Sequence, residues 1–263
     1  MDHVNRRYFL GIIPAAAFFY PARQAPRSII ASPAPEGFPH QDAAVVREMV
    51  GAAHGNVAKV KELASARPAL ARATWDWGYG DWESALGAAS HVGNKEIAAI
   101  LLDNGAHPTI FSAAMLGQID AVRSLITASP GIQRTRGPHG ITLLAHARAG
   151  ANADMVKYLE SLGDADPRYT NQPLSDEERA GLLGTYSFGP GATERLVVSR
   201  NTRGDLVMRR EGEVDRNLFH HGNRVFNPAG AEAVRIRFEP ATGAATSVEV
   251  VDGPVMIRAP RST

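Results

Sequence analysis

One phrase recurs through the first two thirds of this chain, and it dictates pairs of short helices. In residues 84–107, SALGAASHVGNKEIAAILLDNGAH, Ser84 is a helix cap and Leu86, Ala89 and Ser90 fall on one side of the turn of helix that follows. Gly93 stops that helix, Asn94 caps a second, and Ile97, Ile100, Leu101 and Leu102 give the second an apolar stripe. Gly105 then ends it. Side-chain caps, amphipathic spacing and a terminal glycine are each local signals, and here they agree. Residues 109–126 repeat the pattern around Gly117, residues 142–159 around Ala151, and residues 46–63 around Gly55. The turns at 55, 93, 117 and 151 are 38, 24 and 34 residues apart.

A helix pair of this length cannot bury its apolar stripe alone, so such units must stack. The spacing, the small residues at the turn and the Leu/Ile pair resemble the ankyrin repeat, with Ser84 and Thr142 at that family's Thr position. Ala85 and Leu143 replace the Pro that follows, and Gly87, Phe111 and Ala145 replace the signature His. The resemblance implies an α-solenoid of about four degenerate repeats over residues 42–168, with a concave face of first helices and finger tips that holds another protein. Ala88, His91, Ser112, Met115, His146 and Ala149 align with that face, with His54 nearby and His139 at a finger tip in Gly137-Pro138-His139-Gly140.

All three tryptophans lie within eight residues, in Trp75-Asp76-Trp77-Gly78-Tyr79-Gly80-Asp81-Trp82. In an extended finger Trp75, Trp77 and Tyr79 share one face, and Gly78 and Gly80 permit a tight tip. Large aromatic side chains with a polar handle are enriched at binding hot spots. The expected partner-contacting residues are therefore Trp75, Trp77, Tyr79, Trp82, His91, Met115, His139 and His146. Packing within the protein and stacking on a sugar are the alternatives for the aromatic finger.

After Asp166-Pro167 the period changes. Residues 175–183 read as a short helix in which Ser175 and Glu178 form a capping box. Alternating runs follow at 184–188, 194–200, 205–210, 217–221, 224–227, 233–239, 247–251 and 255–258, separated by turn residues. Val234, Ile236 and Phe238 face one way and Arg235 and Arg237 the other. Residues 175–263 are thus expected to form a small antiparallel β-barrel or sandwich, making the whole a multidomain α plus β protein. Gly184-Thr185-Tyr186 and Val255-Met256-Ile257-Arg258 resemble the lipocalin-like β module that follows penicillin-binding-protein-like serine hydrolases. That module is an accessory and implies no activity.

The chain opens with Arg6-Arg7-Tyr8-Phe9-Leu10, an apolar run over 12–20, and five prolines in 21–40. This resembles a twin-arginine export signal over residues 1–31 with a Pro-rich linker over 32–41, and its apolar run is too short to span a bilayer. The expected location is the periplasm or another extracytoplasmic compartment, with no stable membrane span after signal removal. Outside residues 1–31 the chain has 24 basic and 26 acidic residues, which offers no field for nucleic acid. There is no cysteine, and no Ser-x-x-Lys, Gly-x-Ser-x-Gly or HExxH pattern. No catalytic residue, metal site or cofactor is expected. The expected function is a non-enzymatic adaptor that holds an unidentified envelope protein. The alternatives are a glycan- or small-ligand-binding protein using the Trp-rich loop or barrel interior, and an immunity or inhibitor protein.

Overall fold

The computed structural model describes residues 39–262. The expected export signal, and the linker apart from 39–41, lie outside the described residues. Residues 41–262 belong to one compact unit.

Four helical hairpins come first. They are α1 (Ala43–Ala52) with α2 (Val57–Ala66), α3 (Ala85–His91) with α4 (Lys95–Asp103), α5 (Ile110–Leu116) with α6 (Ile119–Ala128), and α7 (Leu143–Ala149) with α8 (Ala153–Ser161). Local chemistry sets their ends. The side chains of Asn56, Ser84, Asn94, Thr109 and Thr142 accept backbone N–H groups at helix starts, and Gly117 ends α5 at φ 76°. Ala151, in the slot that glycine fills elsewhere, takes φ 52°.

The first helices α1, α3, α5 and α7 lie side by side in one row, and α2 packs on α4 behind it. This row is not the open ankyrin solenoid that the repeats suggest. Among the described residues only the segment before α3 makes a two-stranded finger, β1 (Thr74–Asp76) with β2 (Trp82–Ser84). The segment before α7 has 3-10 turns instead, and α4 reaches α5 through a short loop, as the 24-residue step requires. The row is also tightly drawn in, because α3 touches α7 as well as α5. A Cβ placed on Gly87 of α3 would stand 3.5 Å from Pro138 Cγ and 3.7 Å from Glu83 Cγ, so the fingers lie on the helices. Ala88, Ser112, Met115 and His146 are consequently buried. The expected free concave face is filled by the protein's own side chains, and Met115 and His146 are not partner-contacting residues.

Helix α9 (Asp176–Leu182) carries the expected Ser175–Glu178 capping box. Eight strands follow: β3 (Gly184–Ser187), β4 (Arg195–Arg200), β5 (Leu206–Arg210), β6 (Arg216–Gly222), β7 (Val225–Pro228), β8 (Arg235–Glu239), β9 (Ser247–Asp252) and β10 (Val255–Pro260). Each pairs antiparallel with the next, and a bridge between Tyr186 and Arg261 brings the last strand to the first, giving a nearly closed barrel. Alternation along the strands sends Leu196, Val198, Ile236, Phe238, Val248 and Val250 inward. Phe226 and Phe238 meet edge-on at 5.6 Å, and Tyr186 meets Phe238 at 5.7 Å. The barrel is filled by its own side chains, as small barrels commonly are. His220 turns inward onto Phe226 while His221 turns out to Asn227. Among the described residues no helix is long and apolar enough to cross a membrane.

Candidate functional site

The aromatic finger is the meeting point of the helical row and the barrel. Gly78, Tyr79 and Gly80 all take positive φ, which folds the finger into a tight tip. Its rings do not form one platform. Trp75 and Trp77 rest against the helical core, Tyr79 packs on the barrel core, and Trp82 is 62% exposed. Trp75, Trp77 and Tyr79 nevertheless line one cleft, whose opposite wall is Met208 and Val250 with Val255 and Ile257 of β10. Its volume is about 340 Å³. Arg209, Arg210, Glu213, Asp76 and Asp252 supply polar groups along it. Arg47 of α1 sits 5.9 Å from both the Trp75 and Trp77 rings and 4.0 Å from Glu213.

Behind the finger lies a buried network. Residues 81–84 alternate in burial, so Asp81 and Glu83 point into the protein while Trp82 points out. Asp81 Oδ2 accepts from Arg216 Nη1 of β6 at 2.7 Å and lies 2.8 Å from His139 Nδ1. Asp81 Oδ1 accepts the His139 backbone N–H at 2.8 Å. That pair of contacts holds His139 at φ 59°, a costly conformation for a residue with a Cβ. Arg216 also donates to Trp77 O at 2.8 Å and to Ala229 O at 3.0 Å.

Glu83 is fully buried, and three imidazoles surround its carboxylate. His54 Nε2 lies 3.4 Å from Oε2, His91 Nε2 3.0 Å from Oε1, and His139 Nε2 3.4 Å from Oε1. Oε2 accepts the Trp77 indole N–H at 2.7 Å, whereas Oε1 has no hydrogen-bond partner among the described residues. Burial by itself would raise the Glu83 carboxyl, but contacts from His139 and His91 and the nearby imidazole charge outweigh it and bring it down to about 2. Burial would likewise lower His139, but the Asp81 and Glu83 carboxylates raise it to about 9. His54, Glu83, His91 and His139 thereby offer one donor atom each within 4.8 Å of one another.

Sequence spacing gave no metal site because these four donors come from four separate segments. The missed signal was the strand alternation of Asp81, Trp82 and Glu83, which puts two acids on one buried face. Of the residues expected to contact a partner, Trp75, Trp77 and Tyr79 reach the cleft, His91 and His139 reach the network, and Trp82 stands apart in solvent.

His146 lies deeper. Its Nδ1–H donates to Thr142 O at 2.8 Å, and its Nε2 is buried without a partner among the described residues. Burial lowers it from the ordinary 6.5 to about 4. The folded pKa lies below the unfolded one, so the unfolded chain takes up this proton first. Stability is then complete above pH 6.5 and falls as the pH drops from 6.5 toward 4, by about 3 kcal/mol from this residue. His146→Gln, which cannot titrate, should remove that part of the acid loss in urea titrations across this pH range. An unchanged pH profile would assign the loss to other groups.

No protein-family model matches the chain, and no curated protein matches it. Among solved structures it is similar in part to a crystal structure of SurE, with 25% identity over 45% of this chain and 27% of that one, at a TM-score of 0.27. A structure of SurE with D-Leu is similar at 24% identity over 43% and 28%, at a TM-score of 0.28. The chain thus spans about a quarter of the length of either, and likeness at this level carries no argument for fold or function. Neither the ankyrin family nor the lipocalin-like module is found among these similarities, and both resemblances drawn from the sequence are corrected accordingly. What stands is a mixed α plus β protein of helical hairpins and a nearly closed eight-stranded barrel.

Proposed function

We propose that this chain is a non-enzymatic binding protein that takes a small ligand, a glycan foremost, in the cleft between the aromatic finger and the barrel. The single observation that supports this reading is the cleft of about 340 Å³ walled by Trp75, Trp77 and Tyr79. Its size is that of a small-molecule pocket, which typically begins near 300 Å³. Aromatic faces suit the apolar face of a sugar ring. Asp76, Arg209, Glu213 and Asp252 are of the types that exchange hydrogen bonds with hydroxyl groups. The filled barrel interior argues against a ligand there. The proposed setting is extracytoplasmic, following the expected signal over residues 1–31.

Every tryptophan belongs to the finger, so intrinsic fluorescence reports on this region alone. Titration with a panel of oligosaccharides, in the presence of a chelator, should shift or quench that signal saturably. Trp75→Ala should weaken binding by about 2 kcal/mol, or roughly 30-fold. If no sugar moves the signal, the glycan reading fails. A protein partner is the second reading, favoured by the exposure of Trp82, Val214, Val255 and Met256. A shift with a fractionated envelope protein, abolished by Trp82→Ala, would support it instead.

A further inference from the structure

We propose that His54, Glu83, His91 and His139 form a four-ligand site for one divalent transition-metal ion, Zn²⁺ foremost, which cross-links separate segments of the helical row. The inference does not depend on the cleft or its ligand.

The first argument is distance. Donors about 2.0–2.1 Å from a tetrahedral ion stand about 3.3 Å from one another. His91 Nε2 and His139 Nε2 stand 3.0 and 3.4 Å from Glu83 Oε1, which match those edges, and His54 Nε2 approaches the same carboxylate from its other side, 3.4 Å from Oε2. The four donors are also gathered within 4.8 Å, a volume that one ion can span.

The second argument is that the atoms facing the centre are those left without hydrogen bonds. Glu83 Oε1 and His91 Nε2 are both buried with no hydrogen-bond partner among the described residues, although they lie only 3.0 Å apart. Leaving a buried charged oxygen unsatisfied is costly, and native proteins seldom do so without a reason such as an ion. A cation between these atoms satisfies both.

The outer contacts point the same way. His54 Nδ1 faces the carbonyls of Val50 and Gly51, 3.2 Å from each, and His139 Nδ1 faces the Asp81 carboxylate. Each ring therefore has an acceptor at Nδ1, which leaves the Nε2 lone pair for the centre. Metal-binding histidines show this arrangement, in which the second nitrogen donates to a carbonyl or carboxylate. Trp77 Nε1 does the equivalent for Glu83 by occupying Oε2, so Oε1 alone is presented.

Donor chemistry selects the ion. Three imidazoles and one carboxylate suit Zn²⁺, Co²⁺, Ni²⁺ or Cu²⁺, whereas Mg²⁺ and Ca²⁺ prefer oxygen shells. Four protein ligands make a closed site, which is typical of a structural ion. The ligands come from the turn after α1, from β2, from the last residue of α3 and from the 3-10 turn before α7. One ion would thus tie together three of the four hairpins in a chain that has no cysteine with which to make a disulfide.

The test uses the full chain, stripped with a chelator and titrated with Zn²⁺. One ion should bind per chain by elemental analysis. At a hundredfold excess over Kd the melting temperature should rise by about 5–10 °C, while Mg²⁺ and Ca²⁺ have no such effect. Co²⁺ in place of Zn²⁺ should give the visible absorption of a four-coordinate nitrogen–oxygen site. His54→Ala and His91→Ala should each weaken Zn²⁺ binding at least about 100-fold, and His107→Ala, an exposed histidine outside the cluster, should not. His54 lies on a turn and is about one-third exposed, so its variant folds even if the His91 one does not. Binding well below one equivalent, or binding by His54→Ala equal to that of the parent, overturns the proposal. The four side chains would then be an ion-paired cluster and nothing more.

Discussion

Arg216→Ala is expected to lower the free energy of unfolding by about 3–5 kcal/mol, the range found when one partner of a buried ion pair is removed. The Arg216 and Asp81 side chains are only 6% and 2% exposed. A single guanidinium meets Asp81 Oδ2, Trp77 O and Ala229 O at 2.7–3.0 Å, so it joins the finger to the barrel and satisfies oxygens from both. Truncation takes the guanidinium from a buried carboxylate, leaving it His139 alone, and frees the part-buried carbonyls of Trp77 and Ala229 together. Exposed pairs such as Arg203–Asp205, at 76% and 50% exposure, make the control. Solvent and side-chain entropy cancel most of their attraction, and Arg203→Ala should change stability by less than about 0.5 kcal/mol. Urea titrations in the presence of a chelator measure both. The double variant Asp81→Ala with Arg216→Ala should cost less than the two single changes added together, because neither charge is then left short of its partner. A loss below about 1 kcal/mol for Arg216→Ala would mean that apolar contact around Tyr79, rather than this pair, joins the helical row to the barrel.

The same pair marks where sequence reading ran out. Local features were legible. Ser84, Asn94, Thr142 and Ser175 cap helices where their types and positions indicate, and the run Val234–Ile236–Phe238 alternates as a strand buried on one side. All eight expected strands form within one or two residues of their expected limits. Each of these signals depends on neighbours a few positions away. Asp81, by contrast, meets His139 across 58 residues and Arg216 across 135. Nothing local distinguishes an acid that will be buried by such partners from one that will be solvated. Met115 and His146 failed for a related reason. Their helical phase was right for an inward-curving face, but the fold closes that face with its own fingers. The uneven 38-, 24- and 34-residue steps held the warning, since a missing finger lets neighbouring first helices draw together.

That close approach makes Gly150 a sensitive residue of the helical row. Gly150 caps the end of α7 with ordinary helical φ of −73°, so its need for hydrogen is one of space rather than conformation. A Cβ there would collide with the backbone carbonyl of Met115 at the end of α5, and would stand 2.6 Å from Asn152 Nδ2. Asn152 in turn donates to that same Met115 carbonyl, so neither neighbour can retreat without breaking a hydrogen bond. Gly150→Ala should therefore cost about 3 kcal/mol, the upper part of the range for overpacking. Gly51→Ala is the matched opposite. It lies in α1, is exposed, and has nothing among the described residues within 4 Å of the added carbon. There the methyl group only restricts the unfolded chain and favours helix, and stability should rise by about 0.5–1 kcal/mol. Thermal and urea unfolding of the two variants should move in opposite directions from the parent. A Gly150→Ala protein as stable as the parent would mean that α5 and α7 can slide apart at no cost, and the row could not then hold the buried carboxylate and its histidines in register.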